Sequence, residues 1–225
     1  FNGQFIKFKS KYYFQNYDSI NGYELWVTDL DWANPHLFKN IVPNDSILKE
    51  TQINGLIEFD NSMYFIASDT NYKIKNYQSI YKSDGTDTGT HKINSIKTNP
   101  SSYLYKYGSD IFFIGQADTG AAALYRYNTN KDSLEIIYQN ANDRILSDLL
   151  IRNNLIYFRT YNYINSQFSS WVYNGNTSSI QKFKLSEPGI NSFFIGLIEE
   201  FDSFTLLAMY TDVYGYEYWK LDKDG

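Results

Sequence analysis

The sequence has no cysteine among its 225 residues, which removes disulfides, thiolate metal ligands and cysteine nucleophiles from consideration together. Histidine is nearly as scarce, with His36 and His91 the only two. Positive charge is also short. The 20 Lys+Arg stand against 25 Asp+Glu, for a net charge of -5, with no basic run of the kind that grips a phosphate backbone. Nucleic acid is therefore not an expected partner. No apolar stretch reaches the roughly 18 residues that a membrane-spanning helix needs. Charged residues make up 20% of the chain and hydrophobic ones 43%, a balance that excludes an intrinsically disordered protein. Aromatic residues, by contrast, are abundant: 22 Tyr and 16 Phe bring their share to 19%, a bias toward β structure.

An internal repeat organises the chain. Residues 1–14 align with residues 53–65: an alternating strand, a short polar turn (Lys9-Ser10-Lys11 or Asp60-Asn61-Ser62), then an aromatic strand. The strand pair recurs at 102–107 with 111–115, at 149–151 with 155–159, and at 193–198 with 204–209. Phe14, Phe65, Phe113, Phe158 and Leu207 share one position in the second strand. An acid or amide follows that strand, at Asp18, Asp69, Asp118, Asn162 and Asp212. A third strand then carries a heavy aromatic near its end: Trp26, Tyr81, Tyr125, Trp171 and Trp219, at spacings of 55, 44, 46 and 48 residues. Three residues beyond each aromatic stand Asp29, Asp84, Asn128, Asn174 and Asp222. A fourth strand is best seen at 91–96, 134–138 and 180–184.

Four short antiparallel strands per unit, with no helical stripe between them, predict an all-β fold. The architecture expected is a β-propeller of four-stranded antiparallel blades, with five repeats recognisable and room for more in the ring. The blades run over about residues 1–48, 49–97, 98–141, 142–187 and 188–225. One such sheet cannot bury both faces, so neighbouring blades must stack, and the five Phe and Leu positions are expected in the seams. Residues 143–150 read as a long loop with room for a single helical turn. The chain begins at Phe1 and its fifth unit stops before a fourth strand, so the expectation is an excerpt whose last blade is completed by further polypeptide. Residues 1–8 match the first strand of their own unit and are not expected to serve there.

The run Ile80-Tyr81-Lys82-Ser83-Asp84-Gly85-Thr86-Asp87-Thr88-Gly89-Thr90 closely resembles the bacterial ELWxSDGTxxGT repeat. Gly22-Tyr23-Glu24-Leu25-Trp26-Val27-Thr28-Asp29 carries the first half of that pattern, and Tyr216-Glu217-Tyr218-Trp219-Lys220-Leu221-Asp222 a looser version. Leu124-Tyr125-Arg126-Tyr127-Asn128 and Trp171-Val172-Tyr173-Asn174-Gly175 are degenerate copies, with Asn for Asp and no Gly-Thr ending. The resemblance implies a propeller in a secreted or surface-anchored bacterial protein. Physically the motif is a turn device: Asp84 can accept from the next amides, and Gly85 can take positive φ. Asn128 and Asn174 can do the same without charge.

Candidate chemistry is thin. His36 lies in the insertion at 30–37 and His91 starts a fourth strand, so the two are expected at unlike positions, short of a zinc site or a catalytic triad. Asp29 with Asp31, Asp84 with Asp87, and Asp222 with Asp224 place oxygens close together as calcium ligands would be, but no copy has the twelve-residue loop with its terminal Glu, and solvated turns are expected. A glycosidase needs two carboxylates facing each other across a sugar. Glu58, Asp110, Glu199 and Glu200 are the candidates, with nothing in the spacing to pair them, and Ser83-Asp84-Gly85 departs from the sialidase pattern Ser-x-Asp-x-Gly-x-x-Trp. Tyr161, Tyr163 and Tyr173, with Asn162, Asn165 and Asn174, cluster around the loops of the fourth unit as a carbohydrate platform would.

No catalytic, cofactor-binding or metal-binding residue is assigned on this basis. The expected function is that of a rigid, non-catalytic binding or interaction module of a bacterial cell-surface or secreted protein, located extracellularly or at the cell surface. Its expected partner is a protein or a surface assembly, with carbohydrate a further candidate. The alternatives are a carbohydrate-active, glycosidase-like propeller enzyme and a structural subunit of a larger surface assembly.

Overall fold

Lys9-Ser10 and Asp60-Asn61 set the local pattern. Both residues of each pair have positive φ (45° and 61°, 48° and 53°), the backbone of a two-residue turn whose twist matches the flanking strands. A computed structural model describes residues 4–41, 52–68, 78–94, 97–98, 103–116, 120–152, 154–183, 192–201 and 203–222. These form twenty strands, and among the described residues there is no helix.

The first sheet has the order β1 (Phe5–Phe8), β2 (Lys11–Asp18), β3 (Gly22–Asp29), β4 (His36–Lys39). The second follows with β5 (Ile53–Phe59), β6 (Ser62–Ser68), β7 (Gln78–Ser83) and β8 (His91–Asn94). The third runs β10 (Tyr105–Tyr107), β11 (Asp110–Gln116), β12 (Ala122–Asn128), β13 (Ser133–Gln139), with the short β9 (Lys97–Thr98) also pairing with β11. The fourth comprises β14 (Asp143–Arg152), β15 (Leu155–Asn162), β16 (Gln167–Asn174) and β17 (Ser179–Lys182), and the fifth β18 (Ser192–Glu200), β19 (Phe204–Thr211) and β20 (Gly215–Asp222). The chain divides into two units, one of Phe1–Gly120 with Tyr125–Glu135, the other of Ala121–Leu124 with Ile136–Gly225.

Register explains the two aromatic positions of the repeat. They face each other across the central strand pair: Phe14 opposite Trp26, Phe65 opposite Tyr81, Phe158 opposite Trp171 and Leu207 opposite Trp219. The rings of Phe65 and Tyr81 stack at 5.3 Å, and those of Phe113 and Tyr125 at 5.2 Å, each pair inclined by 12°. Phe14, Phe65, Phe113, Phe158 and Leu207 are all buried, at most 2% exposed. Burying each such side chain stabilises the fold by roughly 1.5–3 kcal/mol. The fourth strands are the wet edge; every residue of β17 is exposed.

Neighbouring sheets pack through these residues. In the first unit one buried cluster joins Phe8, Tyr13, Leu25 and Val27 of the first sheet to Ile53, Met63, Phe65 and Tyr81 of the second. Tyr64 then meets Tyr127 at 6.3 Å, and Lys106 Nζ donates to the Glu58 carbonyl at 3.0 Å. In the second unit Tyr138 packs against Phe158 at 5.3 Å and Trp171 at 5.0 Å. A further cluster joins Leu150, Tyr157 and Val172 to Leu207 and Met209.

Several expectations need correction. Residues 143–150 are neither loop nor helical turn but most of strand β14, whose register shifts between Leu146 and Leu150. That bulge breaks the period-two alternation by which a strand is recognised. Similar shifts occur in β5 after Asn54 and twice in β18. Gly55, at the β5 bulge, has a φ of 61° and lies so near the next sheet that a Cβ would stand 3.1 Å from the Leu104 amide nitrogen. The first strand of the third unit is interrupted, Lys97–Thr98 and Tyr105–Tyr107 both pairing with β11, and Ser102 lies outside the described residues. Phe5–Phe8, as expected, pairs with β2 in its own sheet.

Candidate functional site

The turn after β7 closes on itself. Ser83 Oγ and Thr90 Oγ1 share a buried hydrogen bond of 2.7 Å, and Gly85 N donates to Ser83 Oγ at 3.1 Å. Asp84 Oδ1 accepts from Thr86 N at 2.8 Å and Thr86 Oγ1 at 2.7 Å. Thr86 in turn accepts from Gly89 N at its hydroxyl (2.9 Å) and from Thr90 Oγ1 at its carbonyl (2.6 Å). Gly85 has a φ of 89°, open only to glycine at little cost. Gly89 is needed for a different reason, because a Cβ there would lie 2.1 Å from Asp84 Oδ1. Each motif residue thus has a structural task. The hydroxyl and amide of Thr86, with Lys9 nearby, hold the Asp84 carboxyl below the usual carboxylate range.

The first sheet grips this turn from outside. Lys9 Nζ donates to the Asp84 carbonyl at 2.8 Å, Lys39 Nζ to the Asp87 carbonyl at 3.0 Å, and Lys39 also pairs with Asp87 Oδ1 at 2.9 Å. Lysine ammonium groups therefore take up the Asp84 and Asp87 carbonyls and one Asp87 carboxylate oxygen. Asn128 Oδ1 accepts from Lys131 N at 2.9 Å, and Asn174 Oδ1 from Asn176 N at 2.9 Å, as turn residues should. Asp29 differs. Its carboxylate accepts from Asn34 Nδ2 at 2.8 Å, and its carbonyl from Trp32 N at 3.0 Å. Asp31 Oδ1 accepts from Ala33 N at 3.1 Å. Asp222 pairs with Lys220 at 2.8 Å, and Asp224 lies outside the described residues. Among the described residues no group of three or more His, Asp or Glu converges as a metal site would.

The histidines are placed alike, contrary to expectation. His36 faces Val27 at the start of β4, and His91 faces Lys82 at the start of β8, the same repeat position in adjacent sheets. The ring Nδ1 of each lies near a carbonyl two residues back, Asn34 at 2.9 Å and Gly89 at 3.2 Å. The spacing already carries this equivalence, since each histidine stands ten residues after the heavy aromatic of its unit, Trp26 or Tyr81. Both rings are exposed.

Among the described side chains the candidate carboxylates are differently placed. Asp110 is buried and held by Arg126 Nε and Nη2, each at 2.8 Å, and by Asn128 Nδ2 at 2.6 Å. Glu58 is exposed, and the side chains of Glu199 and Glu200 lie outside the described ones. Two buried carboxylates escaped the sequence reading. Glu24 Oε2 accepts from Ile41 N at 2.8 Å; its signal was its place two residues before Trp26 on one strand face. Asp143 accepts from Asn162 Nδ2 at 2.6 Å and from the Tyr138 hydroxyl at 2.5 Å. Burial, and then this bond to Asp143, push the Tyr138 hydroxyl far above its ordinary value.

The opposite ends of three sheets, where the second and third strands meet, carry exposed and half-buried rings. Tyr17 faces Tyr23, Tyr161 faces Phe168 and Tyr210 faces Tyr216. Each pair lies three residues after the buried Phe or Leu and three before the Trp, with ring centroids 5.1, 4.9 and 5.1 Å apart. The tips are held by side-chain acceptors: Asp18 Oδ1 from Ile20 N at 2.7 Å, Asn162 Oδ1 from Ile164 N at 3.0 Å, and Thr211 Oγ1 from Tyr214 N at 2.9 Å. The second sheet has buried Ser68 and Gln78 instead, so the fold does not require aromatics there. Of the expected cluster, Tyr161, Asn162, Tyr163 and Asn165 meet at the fourth tip. Tyr173 is buried, and with Asn174 it sits at the far end of β16, about 17–20 Å from Phe168 at strand rise. Phe168 and Ile164 belong to the tip and were missed.

Solved structures bear on the fold. The chain is similar to prolyl oligopeptidase B from Galerina marginata over 96% of its length, at 12% identity and a TM-score of 0.52, spanning 34% of that chain. It is similar to an oligogalacturonate lyase from Vibrio parahaemolyticus over 96%, at 12% identity and a TM-score of 0.55, spanning 63% of that chain. It is also similar to an ulvan lyase bound to a GlcA–Rha3S saccharide over 98%, at 10% identity and a TM-score of 0.51, spanning 70% of that chain. These neighbours are propeller-type proteins. The fold is a β-propeller. At such identity the likeness speaks for fold alone. No protein-family model matches the chain, and no curated protein matches its sequence.

Proposed function

We propose that the chain is a rigid, non-catalytic binding module of a bacterial cell-surface or secreted protein, built on repeats of the ELWxSDGTxxGT type. The observation that carries this reading is the recurrence of an aromatic pair with at least one exposed ring at the hairpin tips of three sheets, at one register position that the fold leaves free to vary. Large rings with polar edges, held on tight hairpins, bind partners at little conformational cost. Two carboxylates already have structural tasks: Asp110 ties β11 to β12, and Asp84 organises a turn. Placement outside the cell is supported by the resemblance at Ile80-Tyr81-Lys82-Ser83-Asp84-Gly85-Thr86 and its continuation to Thr90. The partner is a protein or a surface assembly, or carbohydrate within one.

Retention of the purified chain on bacterial envelope and extracellular-matrix fractions tests the reading. Replacing Tyr17, Tyr23, Tyr163, Phe168 and Tyr216 together by Ala should abolish retention while leaving the melting temperature nearly unchanged. Equal retention of both proteins would defeat the reading, as would turnover of a polysaccharide or peptide substrate that disappears with Asp110→Asn.

A further inference from the structure

The fourth tip differs from the others in what lies beside its rings. The register that pairs Tyr161 with Phe168 also pairs Tyr161 with Arg144 of β14. Directly opposed residues of antiparallel strands project from the same sheet face, with neighbouring strands about 4.7–4.9 Å apart. Arg144, Tyr161 and Phe168 therefore form one row across three strands. Arg144 is exposed, and among the described residues no carboxylate lies within ion-pair distance of it. Asp143, its chain neighbour, projects from the other face and is buried against Asn162 and Tyr138. From Thr160 to Ser170 no residue carries a charge. Tyr163, 59% exposed, adds a ring at 5.5 Å from Tyr161, and Phe168 is 42% exposed.

The tip is also pre-set. Asn162 Oδ1 accepts from Ile164 N and Asn165 N, and Asn165 Oδ1 from Gln167 N at 3.2 Å, so binding need not first order the loop. A guanidinium in one row with partly exposed rings, with amides on the hairpin and, among the described residues, no carboxylate paired with it, suits a ligand with both apolar C–H faces and an anion. A neutral glycan would leave Arg144 without a partner, and a simple anion would leave the rings unused.

Resting on the binding-module reading, we infer that this row binds an acidic polysaccharide, sugar faces lying on Phe168 and Tyr163 and an anionic substituent on Arg144. Carboxylate and sulfate present the same chemistry to the guanidinium, in bidentate form. The full chain is run in native gels containing polygalacturonate, dextran sulfate or unmodified dextran. Retardation is expected in at least one acidic gel and not in dextran, and the stronger acidic gel names the anion. Arg144→Gln and Phe168→Ala should each weaken retardation about tenfold, the scale of one such contact. Tyr103→Ala, an exposed ring of the third unit, should change nothing, and the melting temperatures of all three variants should match the parent. No retardation in either acidic gel, equal retardation in dextran, or retention of binding by Arg144→Gln or Phe168→Ala overturns the inference. If acidic gels fail while the tip variants still lose retention on envelope fractions, the saccharide inference falls and the binding module stands. If neither assay responds to the tip, both fall.

Discussion

Truncating Phe65 to Ala tests whether the repeat's aromatic position is the seam that holds neighbouring sheets together. Phe65 is completely buried, stacks on Tyr81 at 5.3 Å, and belongs to the cluster shared with Phe8, Tyr13, Leu25 and Val27 of the first sheet. A buried Phe removes about 150 Å² from water, worth about 4 kcal/mol at roughly 25 cal/mol per Å², of which the remaining methyl keeps about 1. Loss of the stacked pair adds about 0.5–1.5 kcal/mol, and imperfect collapse of the cavity adds more, so the expected loss is about 3–5 kcal/mol. For a chain of this length that is a fall of about 6–20 °C in melting temperature. Leucine keeps most of the volume and already occupies the equivalent place at Leu207, so Phe65→Leu should lose only about 1–2 kcal/mol. Urea denaturation followed by circular dichroism measures both, with an unchanged m-value showing that the native state alone was altered. Ile20→Ala, at a site 85% exposed, serves as the reference and should stay within about 0.5 kcal/mol. A Phe65→Ala loss no larger than that of Ile20→Ala would refute the assignment of this position to a packed seam.

Gly89→Ala should destabilise by driving the Asp84 carboxylate off Thr86, so in a urea-melt double-mutant cycle its effect should largely vanish when Asp84 is already Ala; additive losses would contradict that geometry. Asp84→Asn keeps the acceptor oxygen and should be nearly neutral at pH 7, with melting temperatures unmoved by calcium or a chelator; a calcium-dependent loss would revive a metal at that turn. At acid pH, Asp84, held low in the folded state, contributes stability that is present above its unfolded value and disappears as pH falls, so the Asn variant should show a shallower acid limb. Tyr127 and Tyr138 are raised in the folded state, first by burial and then by Asp132 and Asp143, so the unfolded chain loses those protons first and stability must fall as pH climbs past about 10. Replacing both with Phe should flatten the alkaline limb of a pH series of urea midpoints, and an unchanged slope would sink this account.

Much of the architecture was legible from local chemistry. Period-two alternation, polar two-residue turns and one aromatic per strand are set by neighbours in the chain, so Phe14, Phe65, Phe113, Phe158 and Leu207 could be aligned and their burial expected. The task of the Ser83-to-Thr90 turn was partly readable for the same reason: Asp84 acts on a residue two places away. The sequence by itself thus determined strand content, the repeat, and one buried position per unit, Phe in four units and Leu207 in the fifth.

Register and the approach of distant strands decided the rest. A bulge in β14 shifted the alternation and disguised a strand as a loop. Pairing with Val27 and Lys82 fixes His36 and His91 at like places in adjacent sheets, each ten residues after the aromatic of the third strand. Asp110 became structural because folding brings Arg126 and Asn128 to it from the next strand, sixteen and eighteen residues away. The grip of Lys9 and Lys39 on the turn after β7 comes from a different sheet altogether. Likewise Arg144, Tyr161 and Phe168 stand in one row only because three strands align there, while Tyr173, close to Phe168 in the chain, is carried to the other end by the straightness of β16. Side chains that meet across strands are neighbours through backbone hydrogen bonding, and one residue of slippage would turn each of them to the opposite face.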